Sequence, residues 1–126
     1  MVIGLGIDII EIDRIKDSID KFGDRFLKKI YTQNEINYCN SKSNKYQHFA
    51  ARFAAKEAVY KALASGWEKA STWQSIEINN EPNGMPVVKL NGKLSSFLSD
   101  ENNLKISLSH SRDYVACVAI IYKDIS

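Results

Sequence analysis

Glu57 stands between Lys56 and Lys61 in the run Phe53-Ala54-Ala55-Lys56-Glu57-Ala58-Val59-Tyr60-Lys61-Ala62-Leu63. A carboxylate ringed by cations suits a divalent metal that bridges to a phosphate. On a helix, Glu57 and Lys61 lie one turn apart and face the same way, with Lys56 and Arg52 on the adjacent flank. The same spacing also describes an ordinary solvated Glu–Lys pair, so this run by itself leaves both readings open. A second carboxylate, Asp8, sits in the apolar stretch Val2-Ile3-Gly4-Leu5-Gly6-Ile7-Asp8-Ile9-Ile10. An unpaired charge there would be costly, so Asp8 requires a cation, a metal or a backbone cap, the last if it opens the helix that follows. Gly4 and Gly6 would let another backbone or a ligand come close, but without a third glycine they are not a dinucleotide fingerprint. A third group, Ser109-His110-Ser111-Arg112-Asp113, places a His, an Arg and two hydroxyls at a strand end. That is the composition of an anion pocket on a rigid base, although His110 reads equally as a hydrogen-bonded turn residue. No nucleophile elbow accompanies Ser109 or Ser111, so a serine hydrolase is not indicated. His48 has no comparable context and receives no assignment.

The elements that must position these groups follow from pattern. Residues 53–63 contain good helix formers with no Gly or Pro, and Ala54, Ala55, Ala58 and Ala62 gather on one side, where small side chains permit close packing. Val2 to Ile10 reads as a short buried strand. Glu11 to about Tyr31 reads as one or two helical pieces with an apolar stripe through Ile15, Ile19, Phe22, Phe26 and Ile30, and Gly23 is the break point. Asn40 to Tyr46 is loop-like, and Gly66 is the expected end of the alanine-rich helix. Ser75–Asn80 and Met85–Leu90 read as strands joined around Asn83-Gly84, and Leu94–Leu98 as a short helix. The chain closes with a hairpin formed by Leu104–Ser109 and the apolar run Tyr114–Tyr122. This order predicts an α+β fold in one domain spanning 1–126.

Composition narrows the function. A chain of 126 residues with 44% hydrophobic and 25% charged residues is ordinary globular material, small enough to favour oligomers. A net charge of +2 argues against a surface directed at nucleic acid. No stretch reaches transmembrane length and no signal peptide is recognisable, so no membrane association is expected. Cys39 and Cys117 lack metal-ligand spacing and read as reduced thiols of a cytoplasmic protein, Cys117 as part of the core.

Taken in order, four blocks resemble the holo-acyl-carrier-protein synthases, the small bacterial class of phosphopantetheinyl transferases. They are Gly4-Leu5-Gly6-Ile7-Asp8-Ile9, Arg52-Phe53-Ala54-Ala55-Lys56-Glu57-Ala58, Asn83-Gly84-Met85-Pro86 and Ser107-Leu108-Ser109-His110-Ser111. The second block is the most specific, and the likeness spans essentially the whole chain. One departure is Ala64, where the family often has Gly before Ser65-Gly66. The resemblance implies the 4′-phosphopantetheinyl transferase fold, an antiparallel sheet packed against a long helix and assembled as a homotrimer with sites at subunit boundaries. It implies transfer of the phosphopantetheine arm of coenzyme A to a serine of apo-acyl carrier protein, in support of fatty acid biosynthesis. Asp8 and Glu57 match the family's Mg²⁺ ligands although they are 57 − 8 = 49 positions apart. Lys61 would neutralise phosphate charge, and the acceptor proton could pass to a metal-bound water or to Glu57. Arg52, Lys56, Ser65, Pro86, His110 and Ser111 match positions around coenzyme A, with Arg52, His110 and Arg112 towards the nucleotide's 3′-phosphate and Pro86 along the adenine.

The carrier is acidic, which directs attention to the basic residues of the first helical region. Read as one continuous helix, Arg14, Lys21, Arg25 and Lys28 fall within about 60° of one another, with Asp13, Asp17, Asp20 and Asp24 opposite. Arg14 and Arg25 match positions with which the family grips its carrier, and Lys21 joins them; ordinary solvated charge is the alternative for Lys21 and Lys28. Two other functions compete for the whole chain. A binding module without catalysis would not need Asp8, Glu57 and Lys61 together, and a two-metal phosphohydrolase would need a larger carboxylate and His cluster.

Overall fold

Alanines at 54, 55, 58 and 62 let one helix lie directly on a sheet, and this contact organises the molecule. The computed structural model describes residues 1–63, 72–98 and 101–124. In chain order the elements are β1 (Val2–Glu11), α1 (Ile12–Phe22), α2 (Asp24–Ile30), α3 (Gln33–Asn40), α4 (Lys45–Ala62), β2 (Ile76–Asn80), β3 (Pro86–Leu90), β4 (Asn102–His110) and β5 (Tyr114–Lys123). Two antiparallel sheets result, one ordered β1-β5-β4 and one pairing β2 with β3. This is the α+β arrangement expected from the sequence.

The 18-residue α4 packs across β1 and β5. Its Ala54, Ala55, Ala58 and Ala62 are buried against Val115, Cys117, Ala119 and Ile121 of β5, and the core continues through Tyr31, Phe49 and Leu63. On β1 the helix comes closest where there is no side chain. A Cβ placed on Gly6 would stand 1.9 Å from the carbonyl oxygen of Ala58, and one on Gly4 would stand 2.4 Å from that of Ala62. The obstructing atoms are helix backbone, which cannot swing aside.

Several elements differ from expectation. Strand β1 is not buried. Leu5, Ile7 and Ile9 are 65%, 66% and 64% exposed. Apolar residues on both faces read as a doubly covered strand, yet α4 covers only the face that carries Gly4, Gly6 and Asp8, and β1 forms an edge of its sheet. Gly23, at φ 56°, divides α1 from α2, and Phe22 is half exposed rather than part of the buried stripe. Helix α3 falls where no helix was expected. Its start carries a reciprocal cap, in which Thr32 Oγ1 accepts from the Glu35 amide and Glu35 Oε1 accepts from the Thr32 amide. Helix α4 begins at Lys45, slightly inside the expected loop, and its last helical residue is Ala62; Gly66 lies outside the described residues. The short helix is a 3-10 turn at Gly92–Ser96. The Asn83-Gly84 connection holds as read: Gly84 has φ 90°, and the Asn83 side chain accepts from the Met85 amide. Among the described residues, no helix is long and apolar enough to cross a membrane.

The glycine seat generates a prediction. Gly6→Ala should lower the unfolding free energy in urea by about 3 kcal/mol or more, because the added methyl overlaps backbone. Gly23→Ala has open space around it and should cost less, only the strain of φ 56° with ψ −134° in a residue that carries a Cβ, about 1–3 kcal/mol. Similar losses in the two variants would refute the close seating of α4 on β1.

Candidate active site

The seat on Gly4 and Gly6 places the outer edge of α4 over the carboxylate of Asp8. Lys61 Nζ lies 3.2 Å from Asp8 Oδ1 and donates to the carbonyl of Ile7 at 3.0 Å. The Asp8 side chain is only 16% exposed, so Lys61 is the partner that its burial demands. Asp8 does not cap the next helix, whose N-cap is Glu11. One turn before Lys61, Glu57 joins the pair. Burial pushes its carboxyl above the ordinary value, the Asp8 charge pushes the same way, and Lys61 opposes both. Residues 49 positions apart in sequence thus form one acidic couple beside an ammonium.

These donors suit a hard cation. The pair offers carboxylate oxygens only, its two negative charges face one another, and a small divalent ion would relieve that repulsion while keeping positions for water and phosphate oxygens. Among the described residues no set of three or more His, Cys, Asp and Glu gathers as a closed metal cage.

Lys56 requires correction as a coenzyme A contact. It is fully buried, with Nζ 2.7 Å from Glu35 Oε1, and it also donates to the carbonyls of Trp73 and Ile76. Glu35 Oε2 in turn accepts from the Ile78 amide at 2.8 Å. Burial draws the lysine's pKa down while Glu35 holds it up. One position along the helix turns a side chain by about 100°, so Lys56 points inward and binds α4 to α3 and β2 while Glu57 points out.

Arg52 faces a different opening. It lines a groove of about 590 Å³ with Pro86, His110, His48, Asn80 and Met85. Its Nη2 donates to Asn80 Oδ1 at 2.6 Å, its guanidinium lies 4.2 Å from the Tyr38 ring centre, and its buried Nε has no partner. The structure therefore brings Arg52, Pro86 and His110 together, and none of Asp8, Glu57 and Lys61 lines that groove. Ser111 closes the β4–β5 turn through two contacts with Tyr114 and does not line the groove. Ser65 lies outside the described residues. Arg14, Lys21 and Arg25 are exposed, but the single helical arc drawn through them requires correction, because Gly23 ends α1 and Arg25 belongs to a second helix, α2. Arg25 instead borders a shallow hollow of about 250 Å³ with Phe22, Phe26 and Lys29, and Lys21 lies 5.4 Å from the Phe22 ring centre. Sequence reading passed over His48, which shares the Arg52 groove, and Glu35, whose capping pattern with Thr32 was available.

Residues 4–119 match the 4′-phosphopantetheinyl transferase superfamily. The chain belongs to that superfamily. A holo-[acyl-carrier-protein] synthase of Koribacter versatilis is 44% identical over 126 residues, covering 98% of this chain and 100% of its own. One from Chlamydia trachomatis serovar L2 is 51% identical over 117 residues, covering 93% and 97%. The crystal structure of the Bacillus anthracis synthase in complex with CoA (3′,5′-ADP) superposes with a TM-score of 0.79 at 33% identity, covering 98% of this chain and 99% of that one.

The two acidic environments on α4 predict opposite stability effects when divalent cations are absent. Lys56→Met strands a buried carboxylate at Glu35 and should cost about 3–5 kcal/mol. Glu57→Gln should raise the midpoint at pH 7. The folded carboxyl titrates above its ordinary 4.5, so the folded state loses stability as pH rises through that interval, and a neutral amide removes the loss. Urea unfolding checks both, and a fall in midpoint for Glu57→Gln would refute the repulsive couple.

Proposed function

We propose that this protein transfers the 4′-phosphopantetheine arm of coenzyme A to a serine of apo-acyl carrier protein and releases adenosine 3′,5′-bisphosphate. The observation that carries this reading is the Asp8–Glu57–Lys61 constellation, held by β1 and α4 in a member of the phosphopantetheinyl transferase superfamily. Relatives named as holo-[acyl-carrier-protein] synthases, one of them solved with CoA (3′,5′-ADP), support the donor and the acceptor.

In the reaction the serine hydroxyl forms a new O–P bond at the β-phosphorus, the bridging P–O bond breaks, and the nucleotide leaves as the bisphosphate. Asp8 and Glu57 are the residues that would hold Mg²⁺, which when bound supplies charge neutralisation to the diphosphate. Lys61 adds a cation at the same edge, and its bond to the Ile7 carbonyl fixes its direction. Glu57 is one group that could receive the proton of the serine. Arg52 and His110 would receive the nucleotide's 3′-phosphate and Pro86 its base.

Assembly fits the same reading. The groove and the acidic couple are separate on one chain, and a homotrimer would bring the groove of one subunit to the couple of the next. The exposed apolar face of β1 and β5, with Leu5, Ile7, Ile9 and Val118, is the surface such packing would cover. Arg14, Lys21 and Arg25 would face the acidic carrier, Arg25 and Lys21 beside the Phe22 hollow. The proposed setting is the cytoplasm, with residues 1–126 working as one domain.

Incubation with coenzyme A, Mg²⁺ and apo-acyl carrier protein should add the mass of one phosphopantetheine arm to the carrier. Asp8→Asn should nearly abolish the gain, and Arg14→Glu or Arg25→Glu should raise KM for the carrier several-fold with little change for coenzyme A. An unmodified carrier, or near wild-type turnover by Asp8→Asn, would overturn the proposal.

A further inference from the structure

His48 lies one turn before Arg52 on α4 and lines the same groove. Its ring meets the Tyr38 ring edge-on, with centres 5.6 Å apart. The Tyr38 ring also carries the Arg52 guanidinium at 4.2 Å and Lys42 Nζ at 4.9 Å. Tyr38 of α3 thus gathers three basic side chains, His48 and Arg52 from α4 and Lys42 from the turn between the helices, and His110 at the end of β4 lines the same groove. Burial lowers the pKa of His48 most strongly, and the charged groups that act on it, Arg52, Lys42 and His110, all lower it further. Arg52 is only 4% exposed, and its buried Nε lacks a hydrogen-bond partner.

A cluster of donors of this kind suits an anion. A phosphomonoester matches it better than a carboxylate, because it brings about two charges and three acceptor oxygens to several donors. The neighbouring Pro86, Met85 and Ala51 offer an apolar wall for a flat ring. We propose that His48 is a specificity-determining ligand of this groove, which joins Arg52 and His110 around a phosphomonoester dianion and takes up a proton as the dianion binds. The inference rests on the reading of the groove as the nucleotide end of coenzyme A, where the 3′-phosphate is the phosphomonoester in question. The linkage has a definite sign. Burial and the cationic neighbours favour the neutral imidazole of His48 in the empty groove, and an arriving dianion favours the imidazolium, so the His48 contribution strengthens as pH falls.

Calorimetric titration of adenosine 3′,5′-bisphosphate and adenosine 5′-monophosphate into the full-length protein tests this. Three proteins are compared between about pH 6 and pH 8: wild type, His48→Phe, which keeps an aromatic ring against Tyr38, and His48→Gln, which keeps polarity without charge. At the low end both variants should bind the bisphosphate about ten-fold more weakly than wild type, with less than about two-fold change for the monophosphate. The ratio of wild type to variant cancels the ionisation of the ligand, and it should shrink as pH rises. Only the wild type should show the His48-linked proton uptake, read from the dependence of binding enthalpy on the buffer. If the wild type prefers the bisphosphate but both variants match it at every pH, the role given to His48 is wrong. If the wild type itself does not distinguish the two nucleotides, the nucleotide reading of the groove falls and the inference with it.

Discussion

The contact between the backbone of β1 and the backbone of α4 is the constraint on which the site depends. Gly6 and Gly4 leave no Cβ in the path of the Ala58 and Ala62 carbonyls, and the helix settles 1.9 Å and 2.4 Å from where those methyl groups would stand. Alanines supply the matching small surface on the helix side. At this separation Lys61 reaches both Asp8 and the Ile7 carbonyl, and Glu57 feels the Asp8 charge. A wider seat would leave the half-buried Asp8 without its cation, at the full desolvation cost of a lone carboxylate. The chemistry and the packing are therefore one arrangement viewed from two sides.

Translation of α4 is fixed by that seat, and its rotation is fixed by a second tie on the opposite face. Lys56 inserts between α3 and the approach to β2, where Glu35 and two carbonyls satisfy its ammonium. Glu35 spends its other oxygen on the Ile78 amide and also caps its own helix. A buried pair of this kind is weak evidence for net stability, but every acceptor is directional, so it selects one orientation of the helix. With Lys56 held inward, Glu57 turns towards Asp8, and Arg52 turns towards Tyr38 and Asn80.

The sequence disclosed those parts of the structure whose signals are local. The alanine face, the Asn83-Gly84 turn and the final hairpin each carry their own pattern within a few residues, and each forms where it was expected. Asp8 and Glu57 were legible because a carboxylate among isoleucines and one among lysines both ask for an explanation. Lys56 was not legible in the same way. Its type and helix match those of Lys61, and only the distant Glu35 makes it a core residue. The outer face of β1 misled because Leu5, Ile7 and Ile9 are as apolar as a covered strand, although within one chain nothing covers them. His48 gave no signal because its groove is assembled from α4, β3 and the end of β4, and proximity to Arg52 and His110 exists only after folding.

The most direct test of this architecture is Mn²⁺ binding followed by electron paramagnetic resonance, with coenzyme A present and Mn²⁺ standing in for Mg²⁺. If the seating of α4 on β1 makes Asp8 and Glu57 one cation site, each chain binds one Mn²⁺, and both Asp8→Asn and Glu57→Gln weaken it at least about ten-fold. Any folded Lys56→Met protein should bind as wild type does. Unchanged Mn²⁺ affinity in either carboxylate variant would contradict a shared site.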